Sequence, residues 1–153
     1  VPKFNKESNM LLSSGGLNLL KQFESCSLKS YRDIDGVLTI GYGHTGVGVN
    51  LDLEITPQHA DELLLFDVGK FEITVENSIT TSITQNQFDA CVCLCYNIGQ
   101  EAFLKSTVLK LINENANIDD IKKAWLEWDE GKGKVIQGLE NRRESEFNLY
   151  LQN

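Results

Sequence analysis

The stretch from Leu17 to His44 constrains the fold more than any other part of the chain. Leu17, Leu20 and Phe23 recur at helical spacing, and within a few residues Lys29–Asp33 and Val37–Tyr42 read as two strands around Ile34-Asp35-Gly36. An Asp-Gly pair between two β-prone runs is a strong hairpin signal. A helix that ends in a hairpin, followed by mostly helical sequence, predicts an α+β chain. It should carry a small β-hairpin lobe and a larger helical lobe.

The remaining punctuation is mostly helical. Residues 1–13 read as a loose polar arm, and the first helix should start near Ser14 to Gly16. Residues 45–55, with Val47, Val49, Leu51 and Leu53 alternating, predict a further short strand. Thr56-Pro57 is a helix start, a threonine cap before proline at the first helical position, with the helix running to Glu72 or beyond. Thr84 and Gln87 form a capping box for a helix bearing Phe88, Cys91, Val92 and Cys95, which Gly99 should end. Helices are also expected at about 106–113, 119–129 and 137–151, with Lys132-Gly133-Lys134 as a loop. The reading is one domain over 1–153, with the helix and β-lobe at about 14–55 and the connecting helix and helical lobe at about 56–153.

At 153 residues and 41% hydrophobic content, the chain can bury one core. No apolar run approaches the roughly 20 residues that span a bilayer, so no membrane insertion is expected. A net charge of -8 argues against a nucleic-acid partner. Cys91, Cys93 and Cys95 stand at alternate positions, which is not a zinc-ligand spacing, and no metal or cofactor is expected. They read as buried thiols, with a disulfide from Cys26 left open.

The chemistry lies in the carboxylates. On a helical wheel Glu24 falls between Leu17 and Leu20, a placement that solubility does not explain. Apolar neighbours disfavour its charged form, which suits a proton donor, while Asp33 at a strand end beside a turn is better solvated and suits a base or nucleophile. Two carboxyls in unlike environments are what cleavage of a glycosidic bond requires.

Beyond this pair, four segments in order resemble the phage-type lysozymes or endolysins. They are Glu24, Asp33, Thr39 and Gly41-Tyr42-Gly43-His44; Phe88-Asp89-Ala90 leading to Tyr96-Asn97-Ile98-Gly99; Phe103 with Ser106-Thr107; and Gly138-Leu139 with Arg142-Arg143-Glu144. The resemblance runs from about Gly16 to Leu151. It implies a lysozyme-like fold with a substrate cleft between the lobes, and a monomeric muramidase that cuts the β-1,4 bond between N-acetylmuramic acid and N-acetylglucosamine in bacterial peptidoglycan. It implies Glu24 as acid, Asp33 as the base activating a water positioned by Thr39, and inversion at the anomeric carbon. Tyr96, Asn97 and Gly99 match the segment that lines the sugar site, although Tyr96 reads equally well as core. Gly36, His44 and Arg143 are structural supports, with Asp67 a candidate partner for His44 and one of Arg142 and Arg143 a candidate to reach Glu24. A phage-encoded enzyme would pass from the host cytoplasm to the periplasm; a secreted or lysosomal one would reach the wall directly.

If Asp33 and Thr39 share a site, the hairpin's parity follows. A two-residue turn at Asp35-Gly36 would put them on opposite faces, because side chains alternate along a strand. A three-residue loop, Ile34 to Gly36, pairs Asp33 with Val37 and Tyr31 with Thr39 and brings them to one face, with positive φ at Gly36. The competing readings are a lytic transglycosylase using Glu24 alone, an inactive wall-binding module, and a chitin hydrolase. The acidic balance is also unlike that of an enzyme steered to an anionic wall.

Overall fold

Two compact units divide the chain, Leu17–Lys70 and the remainder, made of residues up to Gly16 with Phe71–Asn153. The boundaries fall between Gly16 and Leu17 and between Lys70 and Phe71. The computed structural model describes residues 10–131 and 133–153. The elements run α1 (Ser14–Phe23), β1 (Ser27–Arg32), β2 (Leu38–Gly41), β3 (His44–Thr45), α2 (Pro57–Ser78), α3 (Gln85–Ile98), α4 (Gln100–Leu104), α5 (Thr107–Asn113), α6 (Ile118–Leu126), β4 (Glu130–Gly131), β5 (Lys134–Val135) and α7 (Gln137–Leu151). This is the expected α+β chain.

In the Leu17–Lys70 unit, β1, β2 and β3 form an antiparallel sheet in that order. Tyr31 pairs with Thr39 and Arg32 with Leu38, and the Asp33 N–H donates to the Val37 carbonyl at 2.9 Å, which continues the same register. The hairpin loop therefore has three residues, as the parity argument requires. Gly36 takes φ 81°, a conformation that an L side chain resists. The strand expected within 45–55 is reduced to β3 and to an edge pairing of residues 53–55 with β1, through Ser30 N–H to Leu53 O and Ile55 N–H to Leu28 O, both 2.9 Å. The intervening residues turn instead, with Val49 N–H on the Gly46 carbonyl, and Val47 is fully exposed. Alternation of valines alone did not outweigh glycines at Gly46 and Gly48. Leu20, Ile40, Val49, Ala60, Leu64 and Val68 are the buried apolar residues of this unit.

The second unit is built on α3. Thr84 accepts from the Gln87 N–H and Gln87 Oε1 accepts from the Thr84 N–H, the reciprocal cap that the sequence predicts. Every residue from Phe88 to Cys95 is buried, so this helix is enclosed on all sides, not on a single stripe. Val108, Leu109, Ile112, Ile121, Trp125, Phe147 and Tyr150 belong to the same core. Trp125 and Trp128 are packing residues, the first fully buried and the second packed against the cluster.

Two expectations fail here, and one open question closes. Residues 10–13 are tied down instead of loose: the Met10, Leu12 and Ser13 N–H groups donate to Glu76, Glu72 and Asp89 at 3.3, 2.6 and 3.1 Å. The rest of the expected arm, residues 1–9, lies outside the described residues. Gly133 is a turn residue, as expected, but Lys134 pairs with Gly131 and Val135 with Glu130 in a two-stranded hairpin; Lys132 also lies outside the described residues. All four cysteines are free thiols, so no disulfide involves Cys26.

Candidate active site

Glu24 directly follows the last residue of α1, and its N–H continues the helical pattern by donating to the Leu20 carbonyl at 2.9 Å. Its side chain is half-buried, less enclosed than its place on the wheel suggested. The helix stops here because Ser25 and Cys26 lead at once into β1.

The Asp33 carboxylate organises its own turn. Its Oδ1 accepts the N–H groups of Asp35 and Val37, each at 2.9 Å, while the Asp33 carbonyl accepts the Gly36 N–H at 2.9 Å. This is the local side-chain-to-backbone bonding that aspartate offers a tight turn. One oxygen is thereby fixed, and Oδ2 takes no part in the turn. Thr39 is buried and donates its hydroxyl to the Val37 carbonyl at 2.9 Å, which leaves its oxygen lone pairs as acceptors. Register places Asp33 and Thr39 on one face of the hairpin.

His44 opens β3, and its Nδ1 lies 2.9 Å from both oxygens of Asp67 on α2, the partner anticipated from the sequence. Both groups are largely shielded, at 14% and 26% side-chain exposure, so the contact ties the sheet to α2 within this unit. His59 is exposed, as expected, and Asp35 is a turn residue.

In the other unit, Tyr96 and Asn97 lie in the last turn of α3. Tyr96 is half-buried, with its ring edge-on to Phe71 at 5.1 Å. Asn97 is exposed, and its Oδ1 accepts from Arg143 Nη2 at 2.6 Å. Gly99 separates α3 from α4 and lines an open depression with Ile98, Gln100, Glu101, Ala102 and Lys105.

Beneath Asn97 lies a cluster that the sequence reading did not assemble. Arg142, Arg143 and Glu146 are all buried on α7. Arg142 Nε donates to Glu146 Oε2 at 3.0 Å, Arg143 Nε lies 2.9 Å from Oε1, and Trp125 Nε1 donates to Oε1 at 3.2 Å. Arg142 Nη2 also reaches the Cys93 carbonyl at 3.2 Å. Burial pushes the Glu146 carboxyl up from its ordinary range, offset by Arg143 and Arg142, and pushes the Arg143 guanidinium down, offset by Glu146. The signal was present as i,i+3 and i,i+4 spacing from the two arginines to Glu146. Among the described residues no group of three His, Cys, Asp or Glu side chains gathers to hold a metal ion.

A profile of the phage lysozyme family matches residues 21–146. The chain belongs to that family. The endolysin of Bacillus phage PZA is 40% identical over 92% of this chain and 55% of its own length, and that of Salmonella phage P22 is 38% identical over 93% and 99%. The chain therefore spans about half the length of some curated relatives, PZA among them, and nearly all of others. Among solved structures, the muramidase domain of SpmX from Asticaccaulis excentricus superposes with a TM-score of 0.84 at 38% identity, covering 93% of this chain and 98% of that one. A P22 lysozyme mutant superposes at 0.85 with 36% identity, covering 94% and 99%. The fold of this phage lysozyme family member is thus the lysozyme-like α+β fold.

Proposed function

We propose that this chain is a peptidoglycan hydrolase, a muramidase that cuts the β-1,4 bond between N-acetylmuramic acid and N-acetylglucosamine. The observation that carries the reading is the hairpin register, which turns Asp33 and Thr39 to one face in a chain of the phage lysozyme family. Glu24 acts as general acid and protonates the leaving oxygen. A water gives one hydrogen bond to the Thr39 oxygen and its other proton to Asp33 Oδ2, and attacks the anomeric carbon from the face opposite the leaving group. The product is inverted, and this demands a carboxyl separation of roughly 6.5–9.5 Å in the productive complex. The Asp33 Oδ1 bonds to Asp35 and Val37 hold the carboxylate still while Oδ2 works. Such positioning of a base and its water is a large share of what a protein contributes to a rate.

Tyr96, Asn97 and Gly99 bind the glycan, the ring by stacking and the amide by hydrogen bonding. The enzyme works as a monomer on the bacterial wall. No helix among the described residues is long and apolar enough to cross a membrane. The test is digestion of purified walls with product masses and anomeric configuration. Reducing ends carrying one added water, initially of inverted configuration, are expected. Anhydro ends would assign the reaction to a transglycosylase, and unchanged walls would reduce the chain to a binding module.

A further inference from the structure

Arg32 and Asp33 hold the two ends of one peptide group. Arg32 Nη1 donates to the Gly36 carbonyl at 2.9 Å, and the N–H of the same peptide, that of Val37, donates to Asp33 Oδ1 at 2.9 Å. A cation, a peptide plane and the proposed base therefore stand in line. The peptide bond is rigid, so a partner fixed at its oxygen fixes the direction of its N–H. A positive charge on the carbonyl also polarises the group and strengthens the bond that the N–H gives.

This peptide has need of such a pin. It follows Gly36, at φ 81°, and glycine places little steric restriction on how the next peptide plane turns. The other N–H on Oδ1, that of Asp35, belongs to the Ile34–Asp35 peptide, on whose carbonyl no cation sits among the described residues. Arg32 stays outside the reacting face. It pairs with Leu38, one position from the pair of Tyr31 and Thr39, so alternation turns its exposed side chain away from the face that Asp33 and Thr39 share.

We infer that Arg32 is a positioning residue for Asp33, acting through the Gly36–Val37 peptide to hold Oδ1 so that Oδ2 keeps one aim on the water. This rests on the reading of Asp33 as the base of a muramidase and deepens it. Without the guanidinium the peptide plane can swing about Gly36, the Val37 N–H leaves Oδ1, and the carboxylate turns. Substrate still binds, because Arg32 does not face it, but fewer bound complexes hold the geometry that reacts.

The test compares the parent with Arg32→Met, which keeps the stem and loses donor and charge, and Arg32→Lys, which keeps a charged donor. Each is checked for folding by its melting curve, assayed on soluble glycan strands from bacterial walls, and its backbone amide resonances are recorded by NMR. Arg32→Met should lower kcat by about three- to tenfold at unchanged KM. Its Val37 amide proton should move upfield as its hydrogen bond weakens, while that of Asp35, on the same carboxylate oxygen, moves far less. Arg32→Lys should recover most of both effects. Parent-like kcat in Arg32→Met, or an unmoved Val37 resonance, would overturn the inference. So would a raised KM at unchanged kcat, which would make Arg32 a contact for the anionic wall, and so would equal displacement of the Val37 and Asp35 amides, which would mean a loosened loop. None of these touches the muramidase reading, which fails separately if Asp33→Asn cuts the strands at the parent's rate.

Discussion

Val37 and Asp33 are bonded to each other twice across the hairpin loop. The Asp33 N–H donates to the Val37 carbonyl and the Val37 N–H donates to Asp33 Oδ1, both at 2.9 Å. The carboxylate proposed as base is therefore also the support of its own turn, and substitutions can separate the two duties. Asp33→Asn retains an acceptor for the turn and loses the base. It should abolish wall cleavage with a stability change under about 1 kcal/mol. Asp33→Ala loses both and should also lower stability by about 1–2 kcal/mol in urea titrations. Equal destabilisation in the two variants would show that Oδ1 does not hold the loop.

Gly16 lies where a side chain cannot. A Cβ there would come within 2.5 Å of Leu12 Cδ1 and 2.9 Å of the Asp89 side chain. Asp89 is fully buried and cannot retreat, because Ser13 N–H, the Ser13 hydroxyl and Gln85 Nε2 all donate to it. Gly16→Ala should gain helix propensity in α1 and still lose about 1–3 kcal/mol overall. Thermal melting decides it, and a raised Tm would mean that Asp89 can move.

His44 and Asp67 join the sheet to α2 within one unit at low exposure. His44→Asn and Asp67→Asn should each destabilise. The double variant should lose less than the sum, with a coupling of about 0.5–3 kcal/mol for groups in direct contact. Additive losses would show that the contact contributes nothing to stability.

Much of this was legible in the sequence. The Thr84 and Gln87 cap, the Thr56-Pro57 start and the hairpin parity depend on neighbours within four residues, and local chemistry decided them. The Glu72, Glu76 and Asp89 bonds to residues 10–13 join groups 60 or more positions apart, for which the sequence carries no periodicity. The strand expected across 45–55 shrank for a different reason: its alternating apolar residues read as a strand, but Gly46 and Gly48 turned the chain first. In the candidate site, Asp33, Thr39 and the His44–Asp67 contact could be anticipated. Glu146 was missed: its i,i+3 and i,i+4 spacing from the two arginines is in the sequence, but a glutamate late in a polar-looking helix reads as solvated until Trp125 and the burial of all three are seen.

The thiols give a pH dependence with a definite sign. Burial pushes Cys95 up to about 12 and Cys91 higher still, and pushes Tyr150 up to about 12. In the unfolded chain these groups ionise near about 8.5 for thiols and about 10 for tyrosine. A group raised on folding contributes stability that is fully present below its unfolded value and is lost as pH climbs through its folded one. Stability should hold to about pH 8 and then fall, with each buried thiol adding up to about 1.4 kcal/mol per pH unit. Cys95→Ala should start less stable and show a shallower alkaline slope. In the native protein a thiol reagent should label exposed Cys26 at once and the other three only on unfolding. Rapid labelling of all four would contradict the enclosed α3.

The most direct test of the account is the wall digest by the parent and by Glu24→Gln, with product masses and melting curves measured together. Replacing the carboxyl by its amide removes the proton donor and keeps the shape, so the account predicts hydrolysed, water-added products from the parent. The variant should give none at unchanged thermal stability. Full cleavage by a folded Glu24→Gln variant would contradict the assignment of the acid, and with it the mechanism.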